Sequence, residues 1–172
     1  RQPLCLDQLA PLAGYQVEME FWFSIAQASA GALDALVRRH VAPGQSRPAL
    51  APNQLNGMLK GFMDLVLCHE GRHYVMDYKS NWLGESDAAY TADAMRAAVL
   101  AHRYDVQYTL YLFALHRLLR LRIADYDYER DLGGAAYWFL RGSGAPSQGL
   151  YLERPPRALI DALDQLFAGG QP

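Results

Sequence analysis

Three residues of this sequence combine type and spacing in a way that could support chemistry: Asp64, Asp77 and Lys79. Asp64 lies in the apolar run Leu55–Cys68 (LNGMLKGFMDLVLC), and Asp77 lies in His73–Tyr78 (HYVMDY). The turn-forming His69-Glu70-Gly71-Arg72 separates them, so the two runs predict an antiparallel hairpin. Such a hairpin brings both carboxylates together. Carboxylates in apolar surroundings repel one another, and each is costly to bury alone. A divalent cation between them relieves both problems, and hard oxygen donors with room for water and a phosphate suit Mg²⁺. Lys79 follows Asp77 by two residues, and in an extended chain i and i+2 share a face. Its ammonium can then stabilise charge developing on a phosphate or orient an attacking water. The plainer reading is a strand-end ion pair of Asp77 with Lys79 and an Asp64 that caps a bulge. The spacing alone does not separate the two.

The elements that must position this group read as a mixed α/β domain, a central sheet with flanking helices. Residues 1 to 14 are irregular, punctuated by Pro3, Pro11 and Gly14. Val17–Phe23 alternates apolar and acidic and predicts a strand with Glu18 and Glu20 on one face. Ala32–His40 is helical, and Val41–Asn53 is a proline-containing loop. After the hairpin, Lys79–Asp87 is a polar loop, and Ala88–Leu100 and Tyr104–Arg120 are helices. Ala135–Leu140 and Gly149–Leu152 are short strands, and Pro156–Ala168 is a closing helix with Leu159, Leu163 and Phe167 on one side.

Composition bounds the reading. The 172 residues suffice for one domain with a hydrophobic core, taken here as residues 1–172. Apolar residues make up 51% and charged residues 20%, which excludes wholesale disorder. A net charge of -2 does not advertise nucleic-acid binding, although site carboxylates can offset a basic groove. Two separated cysteines, Cys5 and Cys68, argue against a zinc site or a disulfide framework and fit a reducing, cytoplasmic compartment. No apolar run approaches the roughly 20 residues of a membrane helix, and no signal peptide is recognisable. A start at Arg1 points to a piece of a longer protein.

An acid followed on the next strand by Asp-x-Lys is the PD-(D/E)XK nuclease signature. Beyond that pattern, Gly57–Val66 (GMLKGFMDLV) and Asp77–Gly84 (DYKSNWLG) closely resemble the nuclease domains of RecB-type subunits of exodeoxyribonuclease V, the RecBCD helicase-nucleases. His102-Arg103-Tyr104-Asp105, Ile123–Tyr128 and Phe139–Gly142 are similar as well, so the resemblance covers most of the chain.

The resemblance implies a restriction-endonuclease-like α/β fold and a Mg²⁺-dependent deoxyribonuclease. Asp64, Asp77 and the backbone carbonyl of Tyr78 would hold the ion, and Lys79 would be the catalytic lysine. Gln107 and Tyr111 match a Q-xxx-Y element; at i and i+4 they share one helix face and would position DNA or the lysine. An upstream glutamate is also implied, Glu18 or Glu20, with Glu20 preferred because it sits deeper in the apolar run. A histidine ligand upstream of the first strand is implied too, and no residue before Val17 supplies it. The remaining histidines are His40, His69, His73, His102 and His116, and an incomplete metal site in the isolated chain is expected. Single-stranded DNA delivered by the helicase is the implied substrate, and RecC, RecD and the recombinase RecA are the implied partners.

The alternative reading is a docking module for RecA or RecC, which exposed apolar helix faces between Tyr104 and Leu121 would favour. Other features read as structural. Arg117, Arg120 and Arg122 with His116 suit a solvated helix end, with phosphate contact the alternative. His116 itself suits core or an interface. Tyr126, Tyr128, Tyr137, Trp138 and Phe139 suit core and sheet face, with base stacking the alternative. Trp82 suits a loop anchor, with a DNA wedge the alternative. His69 and His73 are expected to face solvent.

Overall fold

The computed structural model describes residues 14–169. Its elements run β1 (Tyr15–Ser29), α1 (Ala30–His40), β2 (Gln54–His69), β3 (Arg72–Lys79), α2 (Ala92–Ala101), α3 (Tyr104–Arg122), α4 (Tyr128–Asp131), β4 (Leu132–Phe139), β5 (Leu150–Glu153) and α5 (Arg157–Phe167). The five strands lie in sequence order in one mixed sheet. β1/β2, β2/β3 and β4/β5 are antiparallel, and β3/β4 is parallel. A parallel neighbour demands a crossover, and α2, α3 and α4 supply it. The expected mixed α/β architecture is therefore the one found.

The long hairpin turns where Glu70 (φ 49°) and Gly71 (φ 76°) both adopt positive φ, the pairing that a two-residue turn between twisted strands needs. β1 runs on past Phe23 to Ser29, because Met19, Phe21, Phe23 and Ile25 keep alternating into the core. Ser29 then caps α1, its side chain accepting from the Ala32 N–H at 3.0 Å. Helix α2 begins at Ala92 rather than Ala88, with Thr91 accepting from the Ala94 N–H at 3.2 Å; Asp87–Ala89 forms a separate tight turn. The short helix α4 has too few residues to show a period in sequence.

One face of the sheet is covered. Phe21, Phe23, Met63 and Val75 pack with Val99, Leu112, Phe113, Leu159 and Phe167 from the helices. Gly61 lies across from Phe21 in the ladder, and a Cβ there would stand 2.6 Å from that ring. The glycine thus lets Phe21 lie flat enough to meet Tyr111 edge-on, at 5.6 Å between centroids. On the other face Leu65, Leu67, Met76 and Ala136 form a smaller cluster, while Trp22, Met58 and Phe62 stay exposed. In α3, by contrast, Val106, Leu112, Phe113, Leu115 and Leu119 are buried, and Leu121 in the last turn is exposed. The exposed apolar surface sought on that helix lies mostly on the sheet instead. No helix of the described residues is long and apolar enough to cross a membrane.

Two other sequence expectations are revised. Trp82 does not anchor its loop, being 65% exposed. Buried Tyr90 does so, its hydroxyl donating to the Asn81 carbonyl at 3.2 Å and accepting from the Leu83 N–H at 3.4 Å. His73 is half-buried, with Nδ1 3.3 Å from the Asp131 carbonyl, because β4 pairs beside it. Arg117 and Arg120 reach Asp164 of α5 at 3.6 and 3.7 Å, in keeping with the structural reading of that patch.

His116 is buried, with Nδ1 3.0 Å from the Tyr126 hydroxyl. Burial first, and the Arg120 charge next, hold its pKa below the ordinary 6.5. The unfolded chain therefore takes up a proton there before the folded chain does. Stability tied to neutral His116 is present above pH 6.5 and is lost as pH falls through the lowered folded value. Urea unfolding across this range is expected to show that loss in the wild type and a flatter profile in His116→Gln.

Candidate active site

Three strands bring the acidic residues level. Leu65 pairs with Met76 at the final step of the β2/β3 ladder, so the next position sets Asp64 opposite Asp77. There the ladder gives way to a side chain: the Tyr78 N–H donates to Asp64 Oδ2 at 3.1 Å. On the other flank of β2, Val17 pairs with Leu65 and Met19 with Met63, which sets Glu18 opposite Asp64. Glu18 has φ 48° and breaks the pairing at that step. Glu20 lies two residues further on and forms an ion pair with Lys60. The structure thus separates two glutamates that simple alternation puts on one face.

Asp77 and Lys79 are buried, at 4% and 8% exposure. Lys79 Nζ lies 2.6 Å from Asp77 Oδ2 and donates to Gln107 Oε1 at 2.9 Å. Gln107 Nε2 in turn donates to the Tyr111 hydroxyl at 2.9 Å. The i, i+4 spacing places Gln107 and Tyr111 side by side on α3, where Gln107 meets the lysine and Tyr111 meets Gln107. Burial above all pushes the Asp77 carboxyl up from its ordinary pKa; Lys79 opposes this, and Asp64 adds to it. Burial and the charge of Asp77 likewise raise Tyr111.

The donor set fits a small hard cation. Asp64 and Asp77 each commit one oxygen, Oδ2, within the chain, and neither Oδ1 takes a hydrogen bond among the described residues. A buried carboxyl raised by desolvation and by a second carboxylate gains from a cation nearby. Mg²⁺ is commonly held by one or two carboxylates and keeps several waters. Among the described residues no three His, Cys, Asp or Glu side chains stand close enough to enclose an ion. The set is therefore open, and it has no histidine in it.

Behind the site stands an ion network that the sequence reading missed. Arg103, at the start of α3, adopts the left-handed conformation (φ 56°). Its guanidinium reaches Asp34 at 2.6 Å and Asp105 at 3.1 Å. Asp105 also meets Arg47 at 2.7 Å, with both side chains fully buried. Arg47 further donates to the carbonyls of Val41 and Ala42, and Arg38 to those of Arg47 and Pro48, so the 41–53 loop is strapped to the start of α3. Burial works against the Asp34 charge, but Arg103 and Arg38 outweigh it and hold that carboxyl below its ordinary range. Two charges adjoining Tyr104 in His102-Arg103-Tyr104-Asp105 were a signal of this network, but their partners lie far away in sequence.

A five-stranded mixed sheet with an acid and Asp-x-Lys on adjacent strands, backed by Gln-xxx-Tyr from the crossover helix, defines a class of nucleases. The PD-(D/E)XK nuclease superfamily model matches residues 6–169, and the chain belongs to that superfamily. It is 55% identical over 157 residues to RecBCD enzyme subunit RecB of Escherichia coli (strain K12), a match covering 90% of this chain and 13% of that protein. The RecB subunit of Haemophilus influenzae is 44% identical over 77% of the chain and 11% of its own length. That of Mycobacterium tuberculosis (strain ATCC 25618 / H37Rv) is 39% identical over 71% of the chain and 12% of its own length. The chain thus spans a small part of these relatives.

Asp105→Ala is expected to leave Arg47 charged and unpaired in the interior. The expected cost is about 3–5 kcal/mol, read by urea unfolding. A cost below about 1 kcal/mol would show that the network is not what holds the start of α3.

Proposed function

We propose that this chain is the Mg²⁺-dependent nuclease domain of a RecBCD-type helicase-nuclease, hydrolysing phosphodiester bonds of unwound single-stranded DNA in the repair of double-strand breaks by recombination. The observation that carries this reading is the convergence of Asp64, Asp77 and Lys79, with one uncommitted oxygen on each carboxylate. Asp64, Asp77 and the Tyr78 carbonyl would hold the ion. When bound, Mg²⁺ would polarise the scissile phosphate and lower the pKa of the attacking water. Lys79 supplies a positive charge to the phosphate oxygens as they gain charge. Gln107 fixes the ammonium on its far side, and Tyr111 fixes Gln107. For the upstream acid, the register favours Glu18, level with Asp64, over Glu20, which Lys60 engages.

Assembly with RecC and RecD, and transfer of the strand to RecA, belong to the same proposal and rest on the relationship to RecB. A docking role without catalysis is the second reading, and the exposed Trp22, Met58 and Phe62 on the open sheet face are what favour it. Docking has no use for a buried lysine shared between Asp77 and Gln107, which is why the catalytic reading is preferred.

Cleavage of labelled single-stranded DNA, with Mg²⁺ and with EDTA, tests the choice. Cutting is expected with the metal alone, and Asp77→Ala is expected to lower it by about a thousandfold or more. Calorimetric titration of Mg²⁺ or Mn²⁺ into both proteins gives a second readout. No Asp77-dependent binding, together with no cutting, would overturn the catalytic reading for this chain.

A further inference from the structure

We propose that Tyr104 and Tyr137 are positioning residues whose rings form a two-walled cradle for the Lys79 ammonium, holding it against Asp77 and Gln107. The inference rests on the nuclease reading for its catalytic meaning, though not for its geometry. Neither tyrosine belongs to the Asp-x-Lys or the Gln-xxx-Tyr pattern.

Lys79 Nζ stands 3.8 Å from the centroid of the Tyr104 ring and 4.7 Å from that of Tyr137. The two rings are 5.7 Å apart and cross at 83°, so they make a corner rather than a stack. A cation over an aromatic face is attracted by the ring's quadrupole, the more so when water is excluded. Here the lysine side chain is 10% exposed. An ammonium has three N–H donors and no acceptor. Asp77 and Gln107 account for two of them. The rings stabilise the charge without needing a directed proton, which leaves the third N–H for an oxygen of the substrate.

The cradle is held from behind. The Tyr137 hydroxyl donates to Gln107 Oε1 at 2.8 Å, the same oxygen that Lys79 uses. Two donors on that oxygen set the orientation of the amide and turn Nε2 toward Tyr111. The Tyr104 hydroxyl donates to Asn81 Oδ1 at 3.3 Å, tying the ring to the loop that follows Lys79. His102 stacks on Tyr104, at 5.3 Å and 20°. Tyr104 directly follows left-handed Arg103, whose guanidinium is locked by Asp34 and Asp105. The buried ion network therefore sets where the first wall stands. Through Tyr104 the Asp77–Asn81 and His102–Asp105 stretches are thus physically coupled.

Tyr104→Leu and Tyr104→Phe test the cradle. The chain contains two lysines, Lys60 and Lys79, so ¹³C-lysine labelling yields two sets of side-chain signals, which Lys79→Arg assigns. The Lys79 ε-methylene protons are expected upfield of their free-lysine position in the wild type and in Tyr104→Phe, and near it in Tyr104→Leu. In single-stranded DNA cleavage, Tyr104→Leu is expected to lower kcat about tenfold with little change in KM, and Tyr104→Phe to restore most of the loss. Equal damage from Phe and Leu in both readouts would assign Tyr104 to the Asn81 bond instead and overturn the cradle. An unshifted Lys79 signal in the wild type overturns it without recourse to any variant, including one that fails to fold. Absence of all cleavage, with the upfield shift present, would count against the nuclease reading and leave the cradle standing.

Discussion

Lys79 and Asp77 are taken out of water where β3 packs against α3, and charges in that position must be met by groups brought from elsewhere in the fold. Much of the architecture follows from meeting them. The β2/β3 ladder gives way to a side-chain bond at Asp64, so the two carboxylates lie side by side on neighbouring strands. The crossover helix lies over the end of β3, and from it Gln107 reaches the ammonium that Asp77 holds on the other side. β4, parallel to β3, brings Tyr137 level with Asp77 in the ladder and so completes the enclosure.

An enclosure of this kind tolerates little play, which gives the ion network at the start of α3 its purpose. Arg47, Asp105, Arg103 and Asp34 add little net charge to the interior and contribute less to stability than their number suggests, because desolvation offsets much of their attraction. What they do is fix direction. A left-handed residue at the head of a helix is costly by itself, and it persists because its guanidinium is held from two sides. Gly61 serves the other end of the site in a similar way, since its missing side chain lets Phe21 support Tyr111.

The two faces of the sheet divide the work. The helix-covered face carries the large core and the buried members of the site. The other carries a small apolar cluster and several exposed aromatic and aliphatic side chains. A chain that matches a small fraction of much longer relatives joins a face carrying the candidate site to a face that its own helices leave open.

The sequence by itself determined the elements whose signals are local. The hairpin was legible because two apolar runs flank a turn with glycine in it. Asp64 and Asp77 were legible as neighbours because the hairpin folds one run back on the other. Asp77 and Lys79 were legible because strand residues two apart share a face, and Gln107 and Tyr111 because helix residues four apart do. The break in alternation between Glu18 and Glu20 was not legible, because nothing local in the sequence announces the positive φ at Glu18 that interrupts it. Nor were the partners of the buried charges: Arg47 and Asp105 are 58 residues apart, and Lys79 and Gln107 are 28 apart. No local period encodes such a pairing. Tyr137 looked like an ordinary core aromatic, and Tyr104 was only the first residue of a helix, for the same reason, since a ring becomes a wall for a cation only when the crossover and the parallel strand have closed around β3. Local periodicity specifies which side chains share a face of one element, whereas which faces meet is decided by packing the whole chain.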